Sequence, residues 1–209
     1  MDKDEKMAQL RREAEAVYTD VCDPDSTLVW GEGDLDACLV IVGEAPGKTE
    51  DELGRPFVGP SGRFLDSELR DAGIARENVY ITGVLKCRPT TPGRNANRAP
   101  SQREVNAWLP ILLRQIEIIS PGILLCLGAT AASALIHPAF RLTKERGIWF
   151  DGPFGTRSLA TYHPAYVMRW KGKAGSERLR EFRADLRTVA QVMSCLAQHP
   201  NQTLKKGSQ

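Results

Sequence analysis

The chain has no apolar run approaching the ~18 residues that a membrane-crossing helix requires, and its first segment, MDKDEKMAQLRREAEAV, is charged and helical, unlike a secretory leader. A cytoplasmic protein with no membrane partner is the expectation. Gly47-Lys48-Thr49 matches GK[ST], but Val42 stands where a full GxxxxGK[ST] loop needs its first glycine, and no GxGxxG follows the first strand, which argues against the common nucleotide-cradling folds. Cysteine is sparse as well. The five, at 22, 38, 87, 126 and 195, form no CxxC pair, and three lie in apolar runs, so buried free thiols in a reducing compartment are expected. No internal repeat is visible, and nothing indicates an oligomer.

What is present suits one compact domain. The 209 residues are 42% hydrophobic and 26% charged, enough for a full core. The expected domain spans residues 1–198, with an N-terminal helix over 1–19, and the polar stretch 199–209 is expected to be a disordered tail. The net charge of +2 is unevenly spread. Residues 1–36 carry eleven acids against four bases, residues 86–103 five bases and no acid, and residues 157–187 eight bases against three acids. A phosphate backbone would favour the second and third segments, although solvated helix faces would give the same clusters.

The densest chemistry lies in Val40 to Arg63, VIVGEAPGKTEDELGRPFVGPSGR. An apolar strand ends at Gly43, and Gly43, Pro46 and Gly47 then let the backbone bend and approach a flat ligand. Glu44 and the pair Glu50–Asp51 bring carboxylates to the same strand end. Further along, Val79–Thr82, Ile123–Leu127 and Arg157–Thr161 read as strands, separated by helices over about 61–72, 101–119 and 128–136. Ser101 to Glu104 forms a capping box. A last helix is expected from Ser176, and Trp149–Phe150 as a short strand. This alternation predicts a three-layer α/β/α domain around a central, mainly parallel four-stranded sheet.

Five segments, GEAPGKTED, GRPFVGPSGRFL, VYITGVLKCRP (Val79–Pro89), NRAPSQRE (Asn97–Glu104) and YHPAYVMR (Tyr162–Arg169), stand in an order and spacing that resemble the family 4 uracil-DNA glycosylases over about residues 28 to 170. The resemblance implies a base-excision enzyme that hydrolyses the bond between uracil and deoxyribose in DNA. Two departures from that family stand out. An Asn that reads the uracil edge is replaced by Gly83. The family's four iron–sulfur cysteines are matched only at Cys87; the other places fall near Glu15, near Tyr18 and at Trp108, so no metal and no cofactor is expected.

Breaking an N-glycosidic bond builds positive charge on the sugar and negative charge on the departing base, so a site must serve both ends. Glu44 is the first candidate for the carboxylate that stabilises the cation and handles the water, and Glu50 the second. His163 is the candidate donor to the leaving base. Phe57 suits stacking on a flipped base. Gly43, Ala45, Pro46 and Gly47 offer main-chain groups to it, and Gly83 lines its edge. The resemblance implies that Tyr166, Val167, Met168 and Arg169 form the family's wedge, and these with Arg88 are the DNA-contacting candidates. Three functions stay open: uracil excision, weak or on single strands; excision of another deaminated base such as hypoxanthine or xanthine; and a lesion-binding protein that hydrolyses poorly.

Overall fold

The computed structural model describes residues 1–94 and 96–198, so the expected disordered tail lies outside the described residues. Six strands form one sheet: β1 (Glu32–Gly33), β2 (Leu39–Gly43), β3 (Val79–Gly83), β4 (Ile123–Leu127), β5 (Trp149–Asp151) and β6 (Arg157–Thr161), in the order β1-β3-β2-β4-β6-β5. The four inner strands are parallel, as expected for continuous apolar runs buried on both faces. Two short antiparallel edges, β1 and β5, enlarge the four-stranded sheet that the sequence suggested. At two residues, β1 is too short to leave an apolar pattern.

Helices α1 (Lys3–Val21), α4 (Gln102–Ile119) and α5 (Ala129–Leu135) cover one face. There Leu10, Trp108, Leu112 and Ala132 pack on Val40 and Val42. The alternate residues Leu39 and Ile41 point to the opposite layer, formed by α3 (Pro60–Asp71) and α8 (Gly172–Gln198), where Leu65, Phe182 and Leu186 are fully buried. Capping boxes open α1, through Asp2 and Glu5, and α4, through Ser101 and Glu104. Arg98 grips Glu104 with two hydrogen bonds of 2.7 and 2.8 Å and brings its pKa down to about 2.

The chain turns from β2 to β3 on one side and later enters β4 on the other, so β2 and β4 flank the point where strand order reverses. Open α/β sheets bind ligands in the crevice beyond that point. Both motif loops open there. The register pairs Gly43 with Gly83, which brings the ends of β2 and β3 level.

Two stretches expected as loops contain helices. Lys48–Leu53 forms α2, which carries Glu50 in its first turn. Pro164–Arg169 forms α7, because Pro164 at the first helical position has φ preset and His163 caps the turn by accepting from the Ala165 N–H at 3.2 Å. The long final helix starts at Gly172, four residues before Ser176. Leu142–Glu145 adds a short α6. Its Glu145 lies 3.0 Å from His137.

Cysteine pairing also corrects the expectation of free thiols. The end of α1 brings Cys22 against Cys87, just beyond β3, and the two form a disulfide with Cα atoms 6.0 Å apart. Nothing local marks that pairing, since 65 positions separate the two. Cys38, Cys126 and Cys195 are free, and burial pushes the Cys126 thiol up to about 12. No helix among the described residues is long and apolar enough to cross a membrane.

Candidate active site

The crevice at the switch point is a cavity of about 660 Å³. Gly43, Glu44, Ala45, Pro46 and Gly47 form one wall, Phe57 and Gly83 stand beside them, and Gly128, Thr130 and His163 face them. Glu44, the first residue after β2, reaches across to α5, where Thr130 Oγ1 donates to its Oε2 at 2.5 Å. That hydroxyl fixes one carboxylate oxygen and leaves the other for the cavity.

Glu50 also lines the cavity, but its Oε1 accepts from the N–H groups of Val58 at 3.0 Å and Gly59 at 2.7 Å. It therefore ties the Phe57 loop to α2. Its sequence neighbour Asp51 is buried and accepts from the Thr27 N–H at 2.8 Å, away from the chemistry. Glu44 and Glu50 thus both line the cavity, and Glu50 in addition holds a loop.

His163 accepts from the Ala165 N–H at Nδ1, so the neutral ring carries its proton on Nε2. Burial pushes the imidazole below its usual pKa; Glu44 and Glu50 pull it upward, and Arg169 pushes it further down. A neutral donor near pH 7 results. The ring centroid lies 5.9 Å from that of Phe57.

Phe57 has φ of 51°, a left-handed conformation that is costly for an aromatic residue. Arg76 supports it by donating to the carbonyls of Pro56 at 2.9 Å and Phe57 at 3.2 Å while pairing with Glu32 and Asp66. The Phe57 ring lies so close to Gly43 that a Cβ there would fall 2.5 Å from Cζ. Only glycine leaves room for the ring edge at the strand end.

The DNA-contacting candidates divide. Arg169 and Tyr166 line the cavity rim, and Met168 is exposed. Val167 points into the core at 5% exposure, as helix periodicity requires, and so is no wedge tip. Arg88 is also buried: its Nε donates to Asn97 Oδ1 at 2.6 Å rather than pointing to solvent. That bond leaves the Asn97 amide nitrogen on the cavity side, near Gly47.

Asn97, Thr130 and Lys86 were not singled out from the sequence. The first sits in a motif segment whose capping box and basic residues drew attention instead. Lys86 is fully buried, donates to Thr82 Oγ1 at 2.6 Å and Gly83 O at 2.8 Å, and burial drives its pKa well below the usual lysine value. It braces the strand end under the cavity. A Cβ on Gly83 would lie 2.9 Å from the Leu85 carbonyl oxygen, so any side chain here forces the backbone to shift.

The cavity thus lies at a parallel-sheet switch point and is lined by a carboxylate, Glu44, and a neutral imidazole, His163. A family model described as the Uracil DNA glycosylase superfamily matches residues 30–187, and the chain belongs to that superfamily. It is 46% identical over 145 residues to the Type-4 uracil-DNA glycosylase of Thermotoga maritima, a match covering 69% of this chain and 73% of that protein. It is 40% identical over 163 residues to the Type-4 uracil-DNA glycosylase of Pyrobaculum aerophilum, covering 75% and 78%.

These relatives correct the expectation that no cofactor is involved, because Type-4 uracil-DNA glycosylases are iron–sulfur enzymes. The donors of this chain, as placed, do not fit four-thiolate ligation. Cys22 and Cys87 are bonded to each other, the remaining cysteines lie elsewhere, and no group of three or more His, Cys, Asp or Glu suited to a metal occurs among the described residues. No catalytic step is routed through a cluster.

Proposed function

We propose that the chain is a monofunctional, monomeric and cytoplasmic uracil-DNA glycosylase of base-excision repair. The observation that carries this is Glu44 and a neutral His163 facing one cavity at the switch point. A flipped uracil enters the cavity lined by Phe57, Gly43 and Gly83. The glycosidic bond breaks with its electron pair moving to the base. The Glu44 carboxylate stabilises the sugar cation and orients water to the anomeric carbon, while His163 Nε2–H and main-chain N–H groups hold the base anion. Glu50 and Arg76 keep the Phe57 loop in place. Superfamily membership and Type-4 relatives at 38–46% identity support the same chemistry.

A single-turnover assay on labelled oligonucleotides carrying uracil tests it. Uracil release by the wild type, lost in the Glu44 and His163 variants, is expected; binding without release of any base would leave only a lesion-binding protein.

One observation favours a second substrate class. Gly83 offers no amide, and the cavity of about 660 Å³ exceeds what one pyrimidine fills, so hypoxanthine or xanthine belongs in the same assay. Two variants separate the contributions at this position. Gly83→Ala and Gly83→Asn both introduce a Cβ against the Leu85 carbonyl and are expected to lower stability by about 1–3 kcal/mol. Only the Asn restores a donor and an acceptor, so it is expected to excise uracil several-fold faster than the Ala variant. Equal rates would move base selection to other groups, with the Asn97 amide first.

A further inference from the structure

Immediately beyond the cavity, the surface carries a feature that the excision chemistry does not use. Trp170 follows α7 and is 46% exposed, and Met168 is 44% exposed. Both border a second depression of about 310 Å³, together with Phe64, Lys171 and Leu179. The two cavities are neighbours through α7: Tyr166 and Arg169 line the first, and the Tyr166 and Trp170 rings meet edge to face with centroids 5.9 Å apart.

Trp170 is held rather than dangling. The first turn of α8 passes so close that a Cβ on Gly175 would lie 2.5 Å from the Trp170 carbonyl oxygen. Between Pro164 and Ser176 the chain carries Arg169, Lys171 and Lys173, all exposed, and no acid. A large exposed aromatic face is unfavourable in water unless something covers it, and three exposed cations beside it, with Glu177 the first acid after them, favour an anionic occupant.

We propose that Trp170, flanked by Met168, is a stacking platform for a nucleobase adjoining the one in the cavity, with Arg169, Lys171 and Lys173 following the phosphates, so that the protein grips a single DNA strand. Aromatic stacking beside a basic track is how single strands are held without reading their sequence. Bases paired in a duplex are already stacked on their neighbours and cannot use the platform. The proposal rests on the uracil-excision function.

Tryptophan fluorescence gives the test, because Trp30 and Trp108 are buried and Trp149 is partly buried. Titrating the full chain with oligothymidylate free of uracil is expected to quench emission. Trp170→Phe should lose most of the quench and bind nearly as well, and Trp170→Ala should bind the single strand about tenfold more weakly, while duplex affinity changes less than about twofold. Lys171→Glu should weaken binding and reduce its salt dependence.

An unaltered quench in Trp170→Phe, or equal single-strand affinity for Trp170→Ala and wild type, would overturn the platform. Inorganic polyphosphate quenching as strongly as DNA would overturn it too, leaving charge attraction alone. A parallel uracil-release assay separates the two levels. Quench without release by the wild type refutes excision and leaves the platform supported, and release without quench refutes the platform alone.

Discussion

Glu44→Gln is expected to lower single-turnover uracil release by about 10³-fold, equivalent to about 4 kcal/mol of transition-state stabilisation. The substitution removes charge and basicity but keeps the shape. The amide oxygen still accepts from Thr130 Oγ1, so the loop after β2 stays tethered to α5 and thermal stability should hold. Glu50 provides the contrast. Glu50→Gln retains an oxygen for the N–H groups of Val58 and Gly59 and should keep most of the activity. Glu50→Ala leaves two N–H groups without their acceptor, at about 1–3 kcal/mol each where water cannot replace it, and frees the Phe57 loop. If Glu50→Gln lost as much rate as Glu44→Gln while unfolding at the same temperature as wild type, the water would belong to Glu50.

That distinction shows what the sequence could and could not reveal. The parallel core was legible because Leu39–Val42, Val79–Thr82 and Ile123–Leu127 are uninterrupted apolar runs ended by glycine or polar loops. Ser101–Glu104 was legible because a capping box is local. Glu44 ranked ahead of Glu50, but which of them handles the water stayed open, because Thr130 lies 86 positions from Glu44 and the backbone N–H groups that face Glu50 are brought there only by the fold. Arg88 read as a DNA contact from its charge alone. It turned inward because Asn97 offered an oxygen, and the sequence records no such orientation. The Cys22–Cys87 bond is long-range in the same way. Val167, by contrast, could have been assigned to the core: helical spacing from Pro164 places it inward, and only the assumption of a loop hid that.

His163→Ala is expected to cost about 10²–10³-fold in release, the scale for losing one donor to a developing anion. His163→Gln, whose amide donates without titrating, should recover part of that rate. The wild-type pH profile distinguishes a donor from a structural histidine. Burial sets the folded pKa below the usual 6.5, so the ring stays neutral as pH falls past that value and protonates only further down. Once charged, it would pair with Glu44 and withdraw that carboxylate from the sugar cation. Activity should therefore persist at pH 6.5 and fall along an acid limb below it, and in His163→Gln this limb should move to lower pH. Stability obeys the same linkage. Between 6.5 and the folded pKa the unfolded chain binds a proton that the folded chain refuses, so stability decreases as pH drops through that window and levels off once the folded ring protonates. Chemical denaturation of the wild type and His163→Gln across the window measures it. If the glutamine variant showed the same slope as wild type, another group would be responsible, and the neutral-donor role would lose its thermodynamic support.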